Sequence, residues 1–127
     1  MLSLLPAQIT ETLDKECAKW LKRSNVIFIR VLNPLGRPVS GGFKDKAPKM
    51  SKEREKTLFS QLRLDSTMRK EFNEYLGELD YTIAKRKKMT VISVPITDYL
   101  VVVAVKNEEN AKKLAEKLII KFGKIFA

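Results

Sequence analysis

Residues 99–105 read Tyr-Leu-Val-Val-Val-Ala-Val, and this stretch decides the fold. It lacks the alternation of polar and apolar side chains, which indicates a strand covered on both faces. Such a strand lies in the middle of a sheet and needs strands beside it and helices on either face. A helix that crosses a bilayer needs about 20 apolar residues. The longest apolar run is far shorter, so the sequence predicts no transmembrane segment.

A hairpin is predicted in the first third of the chain. Residues 26–32, Val-Ile-Phe-Ile-Arg-Val-Leu, form a β-branched run typical of a buried strand. Asn-Pro-Leu-Gly at 33–36 has the residue preferences of a type I turn. Pro38 begins the returning segment, 38–43, and predicts an edge position because proline donates no ladder hydrogen bond. Gly41–Gly42 indicates a bulge or a close approach of backbones.

Two further strands are predicted before the central one. Residues 79–84 alternate between apolar and polar side chains, and residues 89–96 form a second β-rich run. The charged residues 85–88 form the hairpin tip between them. Thr97–Asp98 then makes a tight connection to 99–105.

Helices are predicted in three regions. Apolar residues recur at helical spacing between Pro6 and Arg23, and Cys17 falls on that stripe as a buried, unreactive thiol. A middle region has helices capped by Ser51 and Asp65 that can form one bent helix ending at Gly77. The last helix is predicted to begin at the N-cap Asn107 and to end at Gly123.

The predicted order is helix, strand, strand, broken helix, three strands and helix. Short links between successive strands require antiparallel pairing. We therefore predict the α+β class, with a five-stranded antiparallel sheet and helices on its faces, in one domain over residues 1–127.

The composition excludes several kinds of chemistry. The chain has no His and a single Cys, which excludes an imidazole base, His-ligated zinc and an internal disulfide. The two glycines of 36–41 are spaced as in a phosphate loop, but Gly42–Phe43 replaces the Lys and Ser or Thr that such a loop requires. The sequence predicts no cofactor, no metal and no enzymatic activity. The lone thiol predicts a reducing cytosol.

The acidic residues have ordinary structural interpretations. Glu108 and Glu109 are expected in the first turn of the last helix, where they complement its dipole. Asp98 suits a turn, and Asp80 completes no catalytic arrangement with them.

A strong positive charge is the clearest surface property. The chain has 25 Lys and Arg against 15 Asp and Glu, a formal charge of +10 that attracts anions. A solvated tip that prevents aggregation and an anion clamp both remain open. A clamp would serve nucleic acid or an acidic membrane, and Tyr81 is the only aromatic residue close to the tip in sequence. The predicted basic patch consists of Lys85, Arg86, Lys87 and Lys88, with Lys44, Lys46 and Lys49 if that loop lies nearby.

The chain resembles the Roadblock and dynein-light-chain family, a branch of the profilin-like folds that includes the longin domains. The element order carries this resemblance together with Val-Leu-Asn-Pro-Leu-Gly-Arg-Pro-Val at 31–39, Val-Pro-Ile at 94–96 and Asp-Tyr-Leu-Val-Val-Val at 98–103. The resemblance implies dimers that pair sheets edge to edge and that scaffold or regulate small GTPases and motor complexes without catalysis. The Lys-rich balance and the long, broken middle helix depart from a typical member. The composition suits a prokaryotic cytosol.

The strand at 79–84 is the predicted self-pairing edge, because it carries no proline and follows an apolar helix. We predict a homodimer with a protein partner such as a small GTPase, and the alternative is a basic module that binds nucleic acid or an acidic membrane. The predicted dimer interface consists of Phe72, Tyr75, Leu76, Leu79, Tyr81 and Ile83.

Overall fold

The computed structural model describes residues 5–107 and 109–127. Its elements follow the predicted order, and a short 3-10 turn interrupts the middle helix. The elements are α1 Ala7–Leu21, β1 Val26–Leu32, β2 Pro38–Phe43, α2 Lys52–Arg69, the 3-10 turn Lys70–Phe72, α3 Asn73–Leu76, β3 Thr82–Lys85, β4 Thr90–Ile96, β5 Tyr99–Val105 and α4 Ala111–Phe126.

The strand β5 lies in the middle of the sheet, whose order is β2-β1-β5-β4-β3. It pairs antiparallel with β1 on one side and with β4 on the other. Every residue from Leu100 to Val105 is fully buried, because helices cover both faces of the sheet. The predicted α+β class and the antiparallel five-stranded sheet are confirmed.

The helices α1 and α4 cover one face of the sheet. Their apolar stripes pack against alternate residues of β5, as amphipathic helices do on a sheet. A polar contact also ties α1 to the edge strand β2, since Ser40 Oγ donates a 2.5 Å hydrogen bond to Asp14 Oδ1. The core on this face includes Val101, Val103 and Val105 of β5, Leu13, Cys17 and Trp20 of α1, and Leu118 and Phe122 of α4.

The helix α2 covers the other face through a few residues. Phe59 is fully buried against Leu100 and Val102 of β5. Its ring lies 6.0 Å from the ring of Phe28 and 6.2 Å from that of Phe43, measured between centroids. The polar first turns of α2 stay exposed, so this helix is held to the sheet mainly through its middle.

The β1–β2 turn forms as predicted. Asn33 O accepts a 2.8 Å hydrogen bond from the amide of Gly36, and Asn33 Oδ1 accepts from the amides of Leu35 and Arg37. The predicted close approach occurs at Gly41, whose φ is 94°. The pairing of β1 with β2 shifts after Val31, so the irregularity lies nearer the turn than Gly41–Gly42.

Three predicted helix ends are wrong. Asp65 lies inside α2, where it forms an i,i+4 ion pair and does not begin a new helix. Asn110 caps α4 in place of Asn107, through a 3.2 Å hydrogen bond from the amide of Lys113 to Asn110 Oδ1. The helix α4 also continues through Gly123 to its last turn, because one glycine costs only about 1 kcal/mol and does not stop a helix whose apolar stripe is buried.

Two acidic residues near α4 were expected in its first turn. Glu109 precedes the helix, and its Oε2 accepts a 2.7 Å hydrogen bond from Asn25 Nδ2. Glu108 lies outside the described residues. The carboxylate of Glu109 therefore ties two loops together, and the dipole interpretation is wrong for this residue.

Candidate functional site

An apolar stripe lies exposed along α2 and α3. Five large side chains at spacings of three, four or one residue are each more than half exposed to solvent. Contiguous exposed apolar surface of this kind marks an interaction site. The exposed fractions are 59% for Leu64, 55% for Met68, 54% for Phe72, 77% for Tyr75 and 82% for Leu76.

The stripe includes three of the six predicted interface residues and extends beyond them. Leu64 was not among the predicted interface residues. It precedes Met68 by four residues, so the sequence already places the two on one face of a helix. Phe72 and Leu76 line a shallow groove together with Leu79, which is half-buried. Gly77 ends α3 with a φ of 84°, and the chain then turns toward β3.

The other predicted interface residues lie on β3 or just before it. β3 begins at Thr82, three residues later than predicted. Ile83 pairs with Ile92 of β4, which places it on the sheet face that α4 covers, and it is 37% exposed. Tyr81 packs against the core on that same face. The predicted interface thus comprises an exposed helical stripe and an adjoining strand.

The strand β3 is an edge of the sheet. The amide of Arg86 donates a 2.9 Å hydrogen bond to Met89 O across the hairpin. Because successive residues of a strand direct their amides to opposite sides, the amides of Ile83 and Lys85 point away from β4. The opposite edge, β2, has Pro38 and an irregular register, so β3 is the edge better suited to pairing.

The hairpin tip is basic and ordered by hydrogen bonds. Lys85, Arg86, Lys87 and Lys88 are all exposed. Asn107 Nδ2 donates hydrogen bonds of 2.9 Å and 3.1 Å to the carbonyl oxygens of Arg86 and Lys87. Asn107 Oδ1 accepts a 2.7 Å hydrogen bond from the buried Thr90 hydroxyl. Asn107, predicted to cap a helix, instead fastens the tip to the end of β5.

Lys44 and Lys106 lie at the same end of the sheet as the tip. Lys85 pairs with Thr90, Thr90 with Val105, and the next residue, Lys106, donates its amide to Asn25 O. Lys44 directly follows β2, and its amide donates to Ile27 O. We call Lys44, Lys106 and residues 85–88 the basic rim.

The side chain of Lys44 is held at this end of the sheet. Its Nζ donates a hydrogen bond to the Arg23 carbonyl oxygen. Burial, and then the charge of Lys106, lower the pKa of Lys44. Lys46 and Lys49 follow in the exposed loop before α2. The topology therefore brings Lys44 and residues 85–88 to one end of the sheet.

Two buried polar groups lie outside these surfaces. Arg63 of α2 is 6% exposed, and its Nε and Nη1 atoms have no hydrogen-bond partner among the described residues. Burial lowers the pKa of Arg63, while Asp98 acts in the opposite direction. Cys17 is 1% exposed, and burial raises its pKa to about 11. The buried position predicted for this thiol from the helical stripe is confirmed.

A family model described as a family of unknown function, DUF6659, matches residues 5–127. The chain belongs to this family. No curated protein matches this DUF6659 sequence. Over the residues that the structure describes, no helix is both long and apolar enough to cross a membrane.

Solved structures show where the DUF6659 chain belongs among folds. Myxococcus xanthus MglB is similar with a TM-score of 0.75 and 15% identity, over 98% of this chain and 94% of that one. The gliding protein MglB of Thermus thermophilus has a TM-score of 0.68 and 14% identity, with 98% and 93% covered. A Roadblock/LC7 domain from Streptomyces avermitilis has a TM-score of 0.67 and 8% identity, with 90% and 92% covered.

These similarities confirm the Roadblock-like fold predicted from the element order and the turn at 31–39. The matched structures cover nearly the whole DUF6659 chain, including the long middle helix that departs from a typical member. The fold is therefore that of Roadblock/LC7 domains.

Proposed function

We propose that this protein is a non-catalytic interaction module, a Roadblock-like domain spanning residues 1–127 that forms a homodimer and regulates or tethers a protein partner such as a small GTPase. The observation that carries the proposal is the exposed apolar stripe of α2 and α3 beside the open edge of β3. The protein has a single thiol, which suits a reducing cytosol.

The stripe supplies an apolar driving force for self-association. Its five side chains are between 54% and 82% exposed, so burying the exposed part contributes roughly 1 kcal/mol per side chain. Two copies bury ten such side chains, and the total of roughly 10 kcal/mol lies within the range of about 4–15 kcal/mol that association costs. The stripe alone therefore supports a weak dimer, and backbone pairing at β3 adds to it.

The charges of β3 favour antiparallel pairing of the two copies. Parallel pairing would place the basic tips of both chains side by side, and like charges directly opposite each other destabilise a sheet. Antiparallel pairing places Lys85 of one copy near the start of β3 in the other, where Asp80 precedes the strand. The outward amides of Ile83 and Lys85 then find acceptors across the interface.

The structural comparisons add independent support for self-association. One similar structure is described as MglB with a tetrameric arrangement, with a TM-score of 0.69 and 16% identity over 98% of this chain. That arrangement belongs to MglB. It supports the proposal because it concerns the same fold.

The mass in solution tests the dimer. Sedimentation velocity at tens of micromolar is expected to show a dimer for the natural chain and a monomer for Leu76→Asp, because a carboxylate cannot be buried in an apolar contact without a large free-energy cost. The matched control is Ile120→Asp on α4, which is 56% exposed and lies outside the stripe. A monomeric natural chain, or equal loss of the dimer in both variants, would reject this interface.

The partner is tested separately. Isothermal titration calorimetry with a small GTPase of the same organism, loaded with GDP or a non-hydrolysable GTP analogue, is expected to show binding that depends on the nucleotide. The Leu76→Asp variant shows whether binding requires the dimer. If neither nucleotide state binds, the GTPase assignment is wrong and the dimer remains to be judged by its mass.

A further inference from the structure

We propose that the basic rim docks this protein onto a membrane surface with anionic headgroups. The proposal rests on the arrangement of Lys44, Lys106 and residues 85–88 at one end of the sheet. It does not depend on the homodimer or on a protein partner.

The rim extends across the full width of the sheet. Lys44 follows the edge strand β2, Lys106 follows the central strand β5, and residues 85–88 join β3 to the neighbouring β4. With strands about 4.8 Å apart, four intervals separate the two edges by roughly 19 Å. Positive charges therefore lie beside both edge strands and beside the central strand, all at one end of the sheet.

The charges of the rim have little compensation within the protein. Among the described residues, the ion pairs are Lys15 with Glu11 and Arg69 with Asp65, and neither includes a rim residue. Burial, and then the charge of Lys106, lower the pKa of Lys44, as expected where two cations lie near each other. An anionic surface placed here would relieve that repulsion.

A helix terminus adds to the positive potential. α4 begins shortly after Lys106, so its N-terminus lies at the same end of the sheet. The first turn of α4 contains no acidic residue to offset the partial positive charge of the helix dipole. Glu109 directly precedes the N-cap Asn110, and its Oε2 is bound to Asn25 Nδ2.

The shape of the rim distinguishes a membrane from nucleic acid. The ladder between β3 and β4 runs up to Lys85 and Thr90, and the short turn beyond it is bound to Asn107. The tip therefore lies against the end of the sheet and does not form an arm that enters a groove. The exposed aromatic residues Phe72 and Tyr75 lie in the 3-10 turn and in α3, which precede β3, whereas the basic tip follows β3. These two rings therefore do not provide the rim with a stacking platform for bases.

A lysine-rich edge of this kind suits a plane of headgroups. Clusters of four to eight Lys and Arg bind anionic lipid surfaces, and each contributes about fivefold in affinity near the surface. Five of the six rim residues are lysine, whose point charge requires no particular geometry of the anion.

Vesicle sedimentation tests the proposal. The natural chain is expected to bind vesicles of phosphatidylcholine with about 30% phosphatidylglycerol at about 0.1 M salt, and to bind pure phosphatidylcholine at least tenfold more weakly. The rim variant replaces Lys85, Arg86, Lys87 and Lys88 by Gln, and it is expected to lose more than tenfold in affinity for the anionic vesicles.

The matched control removes the same charge elsewhere. Replacing Arg37, Lys117, Lys121 and Lys124 by Gln also takes the net charge from +10 to +6. All four side chains are exposed, with Arg37 beside the β1–β2 turn at the opposite end of the sheet and the three lysines in the middle and last turns of α4. Binding by this control is expected to stay within about threefold of the natural chain, with circular dichroism showing that both variants fold.

Three results would overturn the proposal. The first is an absence of binding to anionic vesicles, and the second is an equal loss in the two variants. The third is tighter binding to a duplex of about 30 base pairs than to the vesicles at the same salt, which would assign the rim to nucleic acid.

Discussion

Replacing Gly41 by Ala tests how closely β1 and β2 are packed. Gly41 has a φ of 94° and lies on the edge strand opposite Arg30. A Cβ atom at this position would overlap the Ile29 carbonyl oxygen, and it would lie 2.8 Å from the Ile29 carbonyl carbon and 3.0 Å from Arg30 Cα. These are backbone atoms, so relief requires the two strands to move apart.

The expected loss has two parts. The left-handed backbone conformation costs an L-residue about 1–2 kcal/mol. Steric overpacking in a closely packed region adds about 1–3 kcal/mol. The free energy of unfolding is therefore expected to fall by about 2–5 kcal/mol, which is a large fraction of the stability of a typical domain.

Alanine substitutions at two other glycines separate the backbone cost from the steric cost. The free energies of unfolding are measured by urea titration followed by circular dichroism. Gly77 has a φ of 84° and a ψ of 167°, a conformation open almost only to glycine, but no atom lies within 4 Å of a Cβ added there. Gly77→Ala is therefore expected to lose only the backbone part, about 1–3 kcal/mol. Gly123 lies inside α4 with open space beside it, so Gly123→Ala is expected to gain about 0.5–1 kcal/mol. If Gly41→Ala loses no more than Gly77→Ala, the strands are not packed as described and the reasoning fails.

Three further substitutions probe the polar groups. Asn107→Ala removes the hydrogen bonds to the tip and leaves the buried Thr90 hydroxyl without its acceptor. The free energy of unfolding measured in urea is therefore expected to fall by about 2–3 kcal/mol. An unchanged value would refute the role of Asn107 in fastening the tip. Burial raises the pKa of Cys17 from 9.0 to about 11. As the pH rises, the thiol of the unfolded chain therefore loses its proton before that of the folded chain, and the stability falls between those pH values. The natural chain should lose about 2–3 kcal/mol relative to Cys17→Ala across that range, with none of that difference below pH 9. Arg63→Met removes two buried N–H groups that have no hydrogen-bond partner within residues 5–107 and 109–127, so thermal unfolding should show unchanged or higher stability. A loss above about 2 kcal/mol would show that the guanidinium is stabilising.

The central part of the fold follows directly from the sequence. The unbroken apolar run at 99–105 predicts burial on both faces, and that requirement sets the middle position of β5 and the need for helices on either side. The turn at Asn33 is equally local, because the side chain of Asn33 binds amides only two and four residues away. The turn was predicted correctly because its hydrogen bonds close within a few residues.

Features that depend on distant partners were not predicted. Asn107 and Asn110 are both good N-cap residues, and only the position of the β3–β4 turn decides that Asn107 binds the tip while Asn110 caps the helix. The exposure of Leu64 depends likewise on how α2 crosses the sheet, since helical spacing alone does not show which apolar stripe is buried. Phe59 lies in the buried stripe and Leu64 in the exposed one, although both are large apolar residues of the same helix.

The proposed dimer and the proposed membrane surface constrain each other. The basic rim lies where β3 ends at Lys85, so antiparallel pairing of two β3 strands directs the two rims toward opposite ends of the joined sheet. A flat membrane then contacts one rim per dimer, and dimerisation adds no avidity, because avidity requires both sites to engage at once. The Leu76→Asp variant is therefore expected to bind anionic vesicles with the same affinity per chain as the natural protein, within about twofold. A loss of more than tenfold would mean that both rims contact the membrane together, and the two strands would then have to pair in a different orientation.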